Sequence, residues 1–362
     1  MFRFGDPGGR MYTNVGTGNA NLLAWWTTIG SQGTWSVSPN TGVLGPGNSS
    51  LRIVQTNGQT PCNLSKTLDA RATWGIALHM KMSIMGANTF IVCALTDTGL
   101  LQLELRVNAD GTLSVTRNGS ALTGGTSSFS LSANVYYHLE WKSTIDPSVG
   151  ATEVRVNGVT RIGPLTGLNT RATSNSSANG FHLGCVNPVS LPGTLTTDFD
   201  DVIVWDIQAT DANGFADIHD FIGDCGLTWL LPTGAGTTTQ FTPDTGVNYA
   251  RVNEATPDGD TSYVADANIG DIDTYAMADL PVNITAVKSM AVCHFARKND
   301  TNSRSIAAQL RSGGTNYSHA TPVSLNSGYL YDFSNWGLNP NTGVAWTVAD
   351  INAIEGGQKV AS

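Results

Sequence analysis

Hydrolytic or lytic chemistry on a strand-rich scaffold needs paired side chains, so the acids, histidines and cysteines carry the first information. Glycoside hydrolysis uses two carboxylates about 5–9.5 Å apart. On a strand such a pair would read Glu-x-Asp-x-x-Glu or Glu-x-x-x-Glu, and neither string occurs. Glu104 and Glu140 stand singly on outward strand faces, and Glu153 stands at a strand start. That placement predicts solvated surface charge. The six histidines, His79, His138, His182, His219, His294 and His319, form no HxH, HxxxH or HExxH ligand set. There is no Gly-x-Ser-x-Gly elbow and no phosphate loop. The expectation is a protein that is not an enzyme, with a polysaccharide-degrading enzyme as the minor alternative.

A hard cation is the more natural ligand, because turns rich in Asp supply several oxygens to Ca2+. Asp198, Asp200 and Asp201 form one acidic cluster, and Asp258, Asp260, Asp266, Asp271 and Asp273 form another. Asp258, Asp260, Asp271 and Asp273 are the candidate metal ligands. The competing reading is that these carboxylates cap their own turns. No other cofactor is expected. A glycan would need aromatic faces beside Asn and Asp. Trp25, Trp26, Trp35, Trp336 and Trp346 lie in or near loops, whereas Trp141 and Trp205 fall on strands and should be core. No sugar-binding residue can be singled out. The five cysteines, Cys62, Cys93, Cys185, Cys225 and Cys293, show no CxxC spacing and read as thiols.

These groups must be held by strands. Of 362 residues, 40% are hydrophobic, 13% are charged and 40 residues are Gly, which suits strands joined by tight turns. With 19 Lys+Arg against 28 Asp+Glu, the net charge of −9 offers no footprint for nucleic acid. No apolar run is long enough for membrane insertion, and the polar, Gly-rich start does not read as a signal peptide. Leu101, Leu103, Leu105 and Val107 alternate with Gln102, Glu104 and Arg106, and Asn108-Ala109-Asp110-Gly111 turns the chain. A strand is expected over 135–142 with Val135, Tyr137, Leu139 and Trp141 inward. Asn157-Gly158 between two alternating runs predicts a two-residue hairpin. Phe199 to Asp206 reads as a strand buried on both faces. Asp211 to Phe221 is a short helix candidate.

Beyond residue 230, strands are expected over 286–297, 304–311 and 328–336, with Ile306, Ala308 and Leu310 inward. Thr347 with Asp350 reads as a capping box for a short helix, with Trp346, Ile351 and Ile354 packing inward and Gly356-Gly357 ending it. The whole is therefore expected to be all-β: two antiparallel β-sandwich (jelly-roll) domains, 1–228 and 229–362, with one short C-terminal helix.

Several runs in the first half resemble a concanavalin A-like (laminin G-like) jelly roll. They are Asn108-Ala109-Asp110-Gly111-Thr112-Leu113, Tyr137-His138-Leu139-Glu140-Trp141, Val154-Arg155-Val156-Asn157-Gly158-Val159 and Asp200-Asp201-Val202-Ile203-Val204-Trp205-Asp206. The second half carries Leu231-Pro232-Thr233-Gly234-Ala235-Gly236, Asp258-Gly259-Asp260-Thr261-Ser262-Tyr263-Val264, Ala296-Arg297-Lys298-Asn299-Asp300 and Pro340-Asn341-Thr342-Gly343-Val344-Ala345-Trp346-Thr347. With these runs it is similar to the C-terminal half of virion structural proteins of tailed bacteriophages and prophages. That resemblance implies a virion location after assembly in a bacterial cytoplasm, on the particle exterior as an appendage, fibre or decoration. It implies other virion proteins (capsid or tail) and further copies of this chain as partners, with a host-surface glycan as a second kind of partner. A carbohydrate-binding adhesin is the alternative function. The aromatic start, Phe2 and Phe4, suits an assembly contact with another chain.

Overall fold

The structure, a computed structural model, describes residues 2–6, 28–29, 34–38, 50–56, 62–85, 89–185, 193–207, 220–254 and 257–362. The chain divides into two compact units. One holds the described residues from 2 to 207 together with 220–227, and the other holds 228–362. Every strand pairing among the described residues is antiparallel, and the one α-helix among them is five residues long. The all-β fold class is as expected.

In chain order the first unit contains β1 (Phe2–Asp6), β2 (Thr28–Ile29), β3 (Thr34–Ser38), β4 (Ser50–Gln55), β5 (Cys62–Arg71), β6 (Thr73–Met82), β7 (Phe90–Asp97) and β8 (Leu100–Val107). There follow β9 (Thr112–Arg117), β10 (Ser120–Ser130), β11 (Tyr137–Thr144), β12 (Gly150–Val156), β13 (Val159–Leu168), β14 (Ala178–Cys185) and β15 (Leu195–Trp205). They form two sheets. An eight-stranded sheet runs β13-β12-β11-β6-β15-β4-β3, with β1 also on β15, and a seven-stranded sheet runs β10-β9-β8-β7-β14-β5-β2. Period-two alternation gives each sheet one apolar face. From the first come Ile76, Leu78, Leu139, Trp141, Phe199 and Val204, and from the second Leu95, Leu103, Leu105, Val115, Phe181 and Leu183, all at most 2% exposed. Each such side chain contributes roughly 1.5–3 kcal/mol relative to exposure. The indole of Trp141 donates to Thr152 Oγ1 at 2.9 Å, so its one polar atom is satisfied inside the core.

The turn chemistry follows the sequence. Asn157 and Gly158 have φ of 50° and 76°, as a two-residue hairpin of primed type requires. β15 lies between β6 and β4, as its apolar run implied. It carries a bulge between Asp200 and Ile203, with Asp201 at φ 48°. Two expectations need correction. β11 starts at Tyr137, and Val135 is 44% exposed, because Asn134 turns the chain at φ 62° just before it. Of the helix candidate Asp211 to Phe221, residues 211–219 lie outside the described residues, and Asp220 and Phe221 are not helical.

The second unit contains β16 (Pro232–Thr239), β17 (Thr242–Pro243), β18 (Val264–Ala265), β19 (Ile272–Met277), β20 (Met290–Ala296), β21 (Ser305–Ser312), β22 (Thr315–Ser318), β23 (Val323–Ser324), β24 (Leu330–Trp336), helix α1 (Val348–Asn352) and β25 (Glu355–Val360). A six-stranded sheet runs β16-β19-β25-β21-β22 with β23 on β21, and β20 and β24 form a separate ribbon. Ala308 and Leu310 from the sheet, Trp336 from the ribbon, and Trp346, Ile351 and Ile354 around α1 make one core, with Met290 and Val292 packed against it. The capping box is present: Thr347 Oγ1 accepts from Asp350 N at 3.1 Å, and Asp350 Oδ2 accepts from Thr347 N at 2.9 Å.

Gly356 and Gly357 were expected to end the helix. They lie instead inside β25, in the middle of the sheet. The reason is close approach. A Cβ on Gly357 would sit 1.9 Å from the Asp273 carbonyl oxygen of the neighbouring β19, so no side chain fits there. Gly357→Ala is therefore expected to destabilise the second unit by about 3 kcal/mol or more. Calorimetry would show one of the protein's transitions moving sharply down while the other stays in place.

Candidate functional site

The register of β20 against β24 sorts their side chains into two sets. Met290 faces Trp336, Val292 faces Ser334 and His294 faces Asp332 on the side that meets the core, where Trp336 is fully buried. Cys293 faces Phe333 and Phe295 faces Tyr331 on the other side. That second side carries a row of half-buried rings. Phe295 lies 4.5 Å from Tyr331 at 41°, and Tyr329 stacks on Phe295 at 4.6 Å and 8°. Trp229 lies 6.1 Å from Phe333 at 58°. The Trp229 indole N–H has no hydrogen-bond partner among the described residues.

One end of the row is polar and fixed. Tyr329 donates its hydroxyl to Asp260 Oδ1 at 2.7 Å. Arg297 grips the same carboxylate with Nη2 at 2.8 and 3.0 Å from the two oxygens and Nε at 3.1 Å from Oδ1. The Arg297 guanidinium also lies 5.3 Å from the centre of the Tyr329 ring. Asp260 sits in a 3-10 turn, Gly259–Thr261. Asp258 ties the two ends of that turn together by accepting from the backbone N–H and hydroxyl of Ser262, both at 3.0 Å. Arg251, itself held by both oxygens of Asp244, donates to the Thr261 carbonyl at 3.2 Å. The hydroxyl of Tyr329 and the Arg297 guanidinium hold the Asp260 carboxyl below the usual carboxylate range. Burial raises the Tyr331 phenol. The site thus stays in one ionisation state across the neutral range: an ionised carboxylate, a guanidinium and neutral phenols beside apolar ring faces.

Flat rings accept the C–H face of a sugar ring, and Asp260 with Arg297 offers acceptors and donors in fixed directions to hydroxyl groups. Only Asp260 among the candidates named from sequence belongs to this site. The four expected metal ligands are not gathered into one set, and no group of three or more potential ligand residues occurs among the described residues. Asp273 is fully buried and saturated. Its Oδ1 accepts from the N–H of Gln240 and Phe241 at 2.7 and 3.0 Å, and its Oδ2 from Asn248 Nδ2 and the Tyr275 hydroxyl at 2.6 and 2.9 Å. Asp271 accepts from Asn268 Nδ2 at 3.2 Å, and Asp266 accepts from the Asn268 N–H at 2.6 Å, so both serve their own turn.

In the first unit Asp198 is ion-paired with Arg52 and Lys81, and Asp201 with His79. Glu104 and Glu140 are not solvated, being 0% and 1% exposed. Glu104 is covered by the turn after β9 and accepts from Arg106, Thr116 and the Gly119 N–H. Glu140 is covered by residues 220–227 and accepts from the Gly223 N–H at 2.8 Å. Glu153, now mid-strand, accepts from Arg155 and Thr160.

Among the tryptophans, Trp336 and Trp346 are core rather than loop platforms, and Trp141 and Trp205 are core as expected. Trp25, Trp26 and the Trp35 side chain lie outside the described residues. Cys93 is buried, and Cys225 and Cys293 are half-buried thiols outside any disulfide. The backbone of Phe2 and Phe4 pairs with β15 of this same chain, opposite Trp205 and Val204.

No protein-family model matches the sequence, and no curated protein matches it. Among solved structures the chain is similar to a cellulose-induced protein, Cip1, at 16% identity and a TM-score of 0.39, over 56% of this chain and 96% of that one. It is similar to a sialidase at 12% and 0.35, over 48% and 17%. It is similar to the alginate lyase AlgAT5 of polysaccharide lyase family 7 at 11% and 0.30, over 43% and 77%. The chain thus spans 17% of the length of that sialidase, and likeness at this level assigns no activity.

Because every oxygen of Asp273 already faces a donor, its role is to tie β19 to the 240–248 segment. Asp273→Ala is expected to cost about 3–5 kcal/mol. Calcium at millimolar concentration should leave the melting temperature of the wild-type chain unchanged. A calcium-dependent rise abolished by Asp273→Asn would instead make it a ligand.

Proposed function

We propose that the protein is a non-catalytic attachment protein whose second unit binds a glycan along the outer side of the β20–β24 ribbon. The observation that carries this reading is the row Trp229, Phe333, Tyr331, Phe295 and Tyr329, half-buried and ending at the Asp260–Arg297 pair. Five large rings along one side of a two-stranded ribbon are more than that ribbon's packing needs, since its opposite side already supplies the core. With one carboxylate and one guanidinium neutralising each other, the surface suits an uncharged saccharide.

The setting we propose is the exterior of a tailed-phage particle. It rests on the sequence runs that resemble such virion proteins. A non-catalytic role accords with the way the carboxylates are engaged: those in the first unit are held in ion pairs and hydrogen bonds rather than set in facing pairs.

Glycan-array binding by the full chain tests the site. Tyr331→Ala and Phe295→Ala are each expected to weaken binding roughly tenfold, about 1–1.5 kcal/mol per ring. Arg297→Ala should weaken binding and leave stability little changed, because the pair is exposed. Binding unchanged in both ring variants, or release of reducing ends from any bound glycan, would overturn the reading.

A further inference from the structure

The outer side of the eight-stranded sheet in the first unit holds two buried histidines under a strap of chain. His79 on β6 and His138 on β11 are cross-strand partners, 5% and 3% exposed, with ring centres 4.9 Å apart. The strap is residues 220–227. It is pinned at four points. Lys142 Nζ lies 2.6 Å from Asp220 Oδ1. The Gly223 N–H donates to Glu140. Asp224 Oδ1 lies 3.0 Å from His79 Nε2, and the Leu227 N–H donates to Asp201 Oδ1 at 2.8 Å. Phe221 lies under the Lys142 and Arg155 cations, at 4.6 and 3.9 Å, and Ile222 is 2% exposed.

We propose that residues 220–227 form a pH-gated strap, closed when a charged His79 bridges Asp201 of the sheet and Asp224 of the strap, and opened when that charge is lost or when His138 gains one.

The geometry makes His79 the bridge. Its Nδ1 is 3.3 Å from Asp201 Oδ2 while its Nε2 meets Asp224, so one imidazolium joins two carboxylates from two elements. Burial disfavours that charge, and the nearby carboxylates of Asp201 and Asp224 outweigh it, so His79 holds its proton above the ordinary histidine range. A raised value means the clamp is fully present below the unfolded value and is lost as pH rises through the folded one. His138 is the opposite case. Among the described residues neither ring nitrogen has a hydrogen-bond partner, and burial and the neighbouring His79 charge push it down to about 4. Below that, two imidazolium rings would sit side by side.

Other charged groups lie around the strap. Burial raises the Glu140 carboxyl, so acid also weakens its grip on Gly223. Asp200 lies beside His79 in the register, and Lys81 is tied to Asp198 farther along β6. Glu153 is held by Arg155. The strap leads directly into Thr228, the first described residue of the second unit.

Hydrogen exchange of the full chain, read by mass spectrometry and corrected for intrinsic rates, tests this. The peptide over 220–227 should exchange slowest near about pH 5–7 and roughly tenfold faster at about pH 9 and about pH 4. Asp224→Asn changes an exposed side chain and should exchange fast at neutral pH, with no alkaline step. His138→Gln should keep the alkaline step and lose most of the acid one. A strap with the same protection at every pH, or an alkaline step unchanged in Asp224→Asn, would overturn the proposal.

Discussion

A β-strand turns its side chains alternately to two sides, and everything in this molecule depends on what covers each side. One side of each large sheet in the first unit is closed by the apolar side of the other. That leaves two outer surfaces on which a low-charge sequence still places Gln, Glu, His and Asp. The chain buries many of these groups and satisfies them with each other. Arg52 and Lys81 meet at Asp198, Thr116 and Arg106 at Glu104, and the strap at Glu140 and Asp201. An unpaired buried charge would cost several kcal/mol, so such groups come in pairs or not at all.

The second unit solves the same problem with less material. Its six-stranded sheet is covered by a ribbon of two strands and one short helix. Two strands have one inner side, and Trp336, Met290 and Val292 occupy it. The outer side is then free to carry rings whose arrangement is not dictated by the core. Rigid scaffolding for those rings comes from turns pinned by carboxylates: Asp258 ties its turn together, Asp244 holds Arg251, and Asp273 gathers four donors. Acidic residues that look like a cation cage in the sequence are, in the fold, fasteners of turns and neighbouring segments.

Alternation over 101–107 and the Asn157-Gly158 turn were legible because their signals are local: a period and a backbone conformation that few residues accept. The capping box at Thr347 was legible for the same reason. The burial of Glu104 and Glu140 was not, since it is imposed by a turn and by residues some eighty positions away in sequence. Gly356-Gly357 misled because glycine both ends helices and permits backbones to touch, and only the position of β19 decides between the two. The aromatic row was half visible. Its members recur at every second position from 329 to 333, but the partners Phe295, Arg297 and Asp260 come from other segments, and the tryptophans that stood out by type, Trp336 and Trp346, proved to be core.

The proposed role of the outer side of the β20–β24 ribbon is to receive a sugar. Saturation-transfer NMR on the full chain with neutral oligosaccharides tests it most directly. Transfer is expected to be strongest to the C–H protons of one ring face and to be lost when Phe295 and Tyr331 are replaced together by Ala. Transfer of equal strength in the double variant, or none in the wild-type protein with any saccharide that cells bearing its target display, would contradict it.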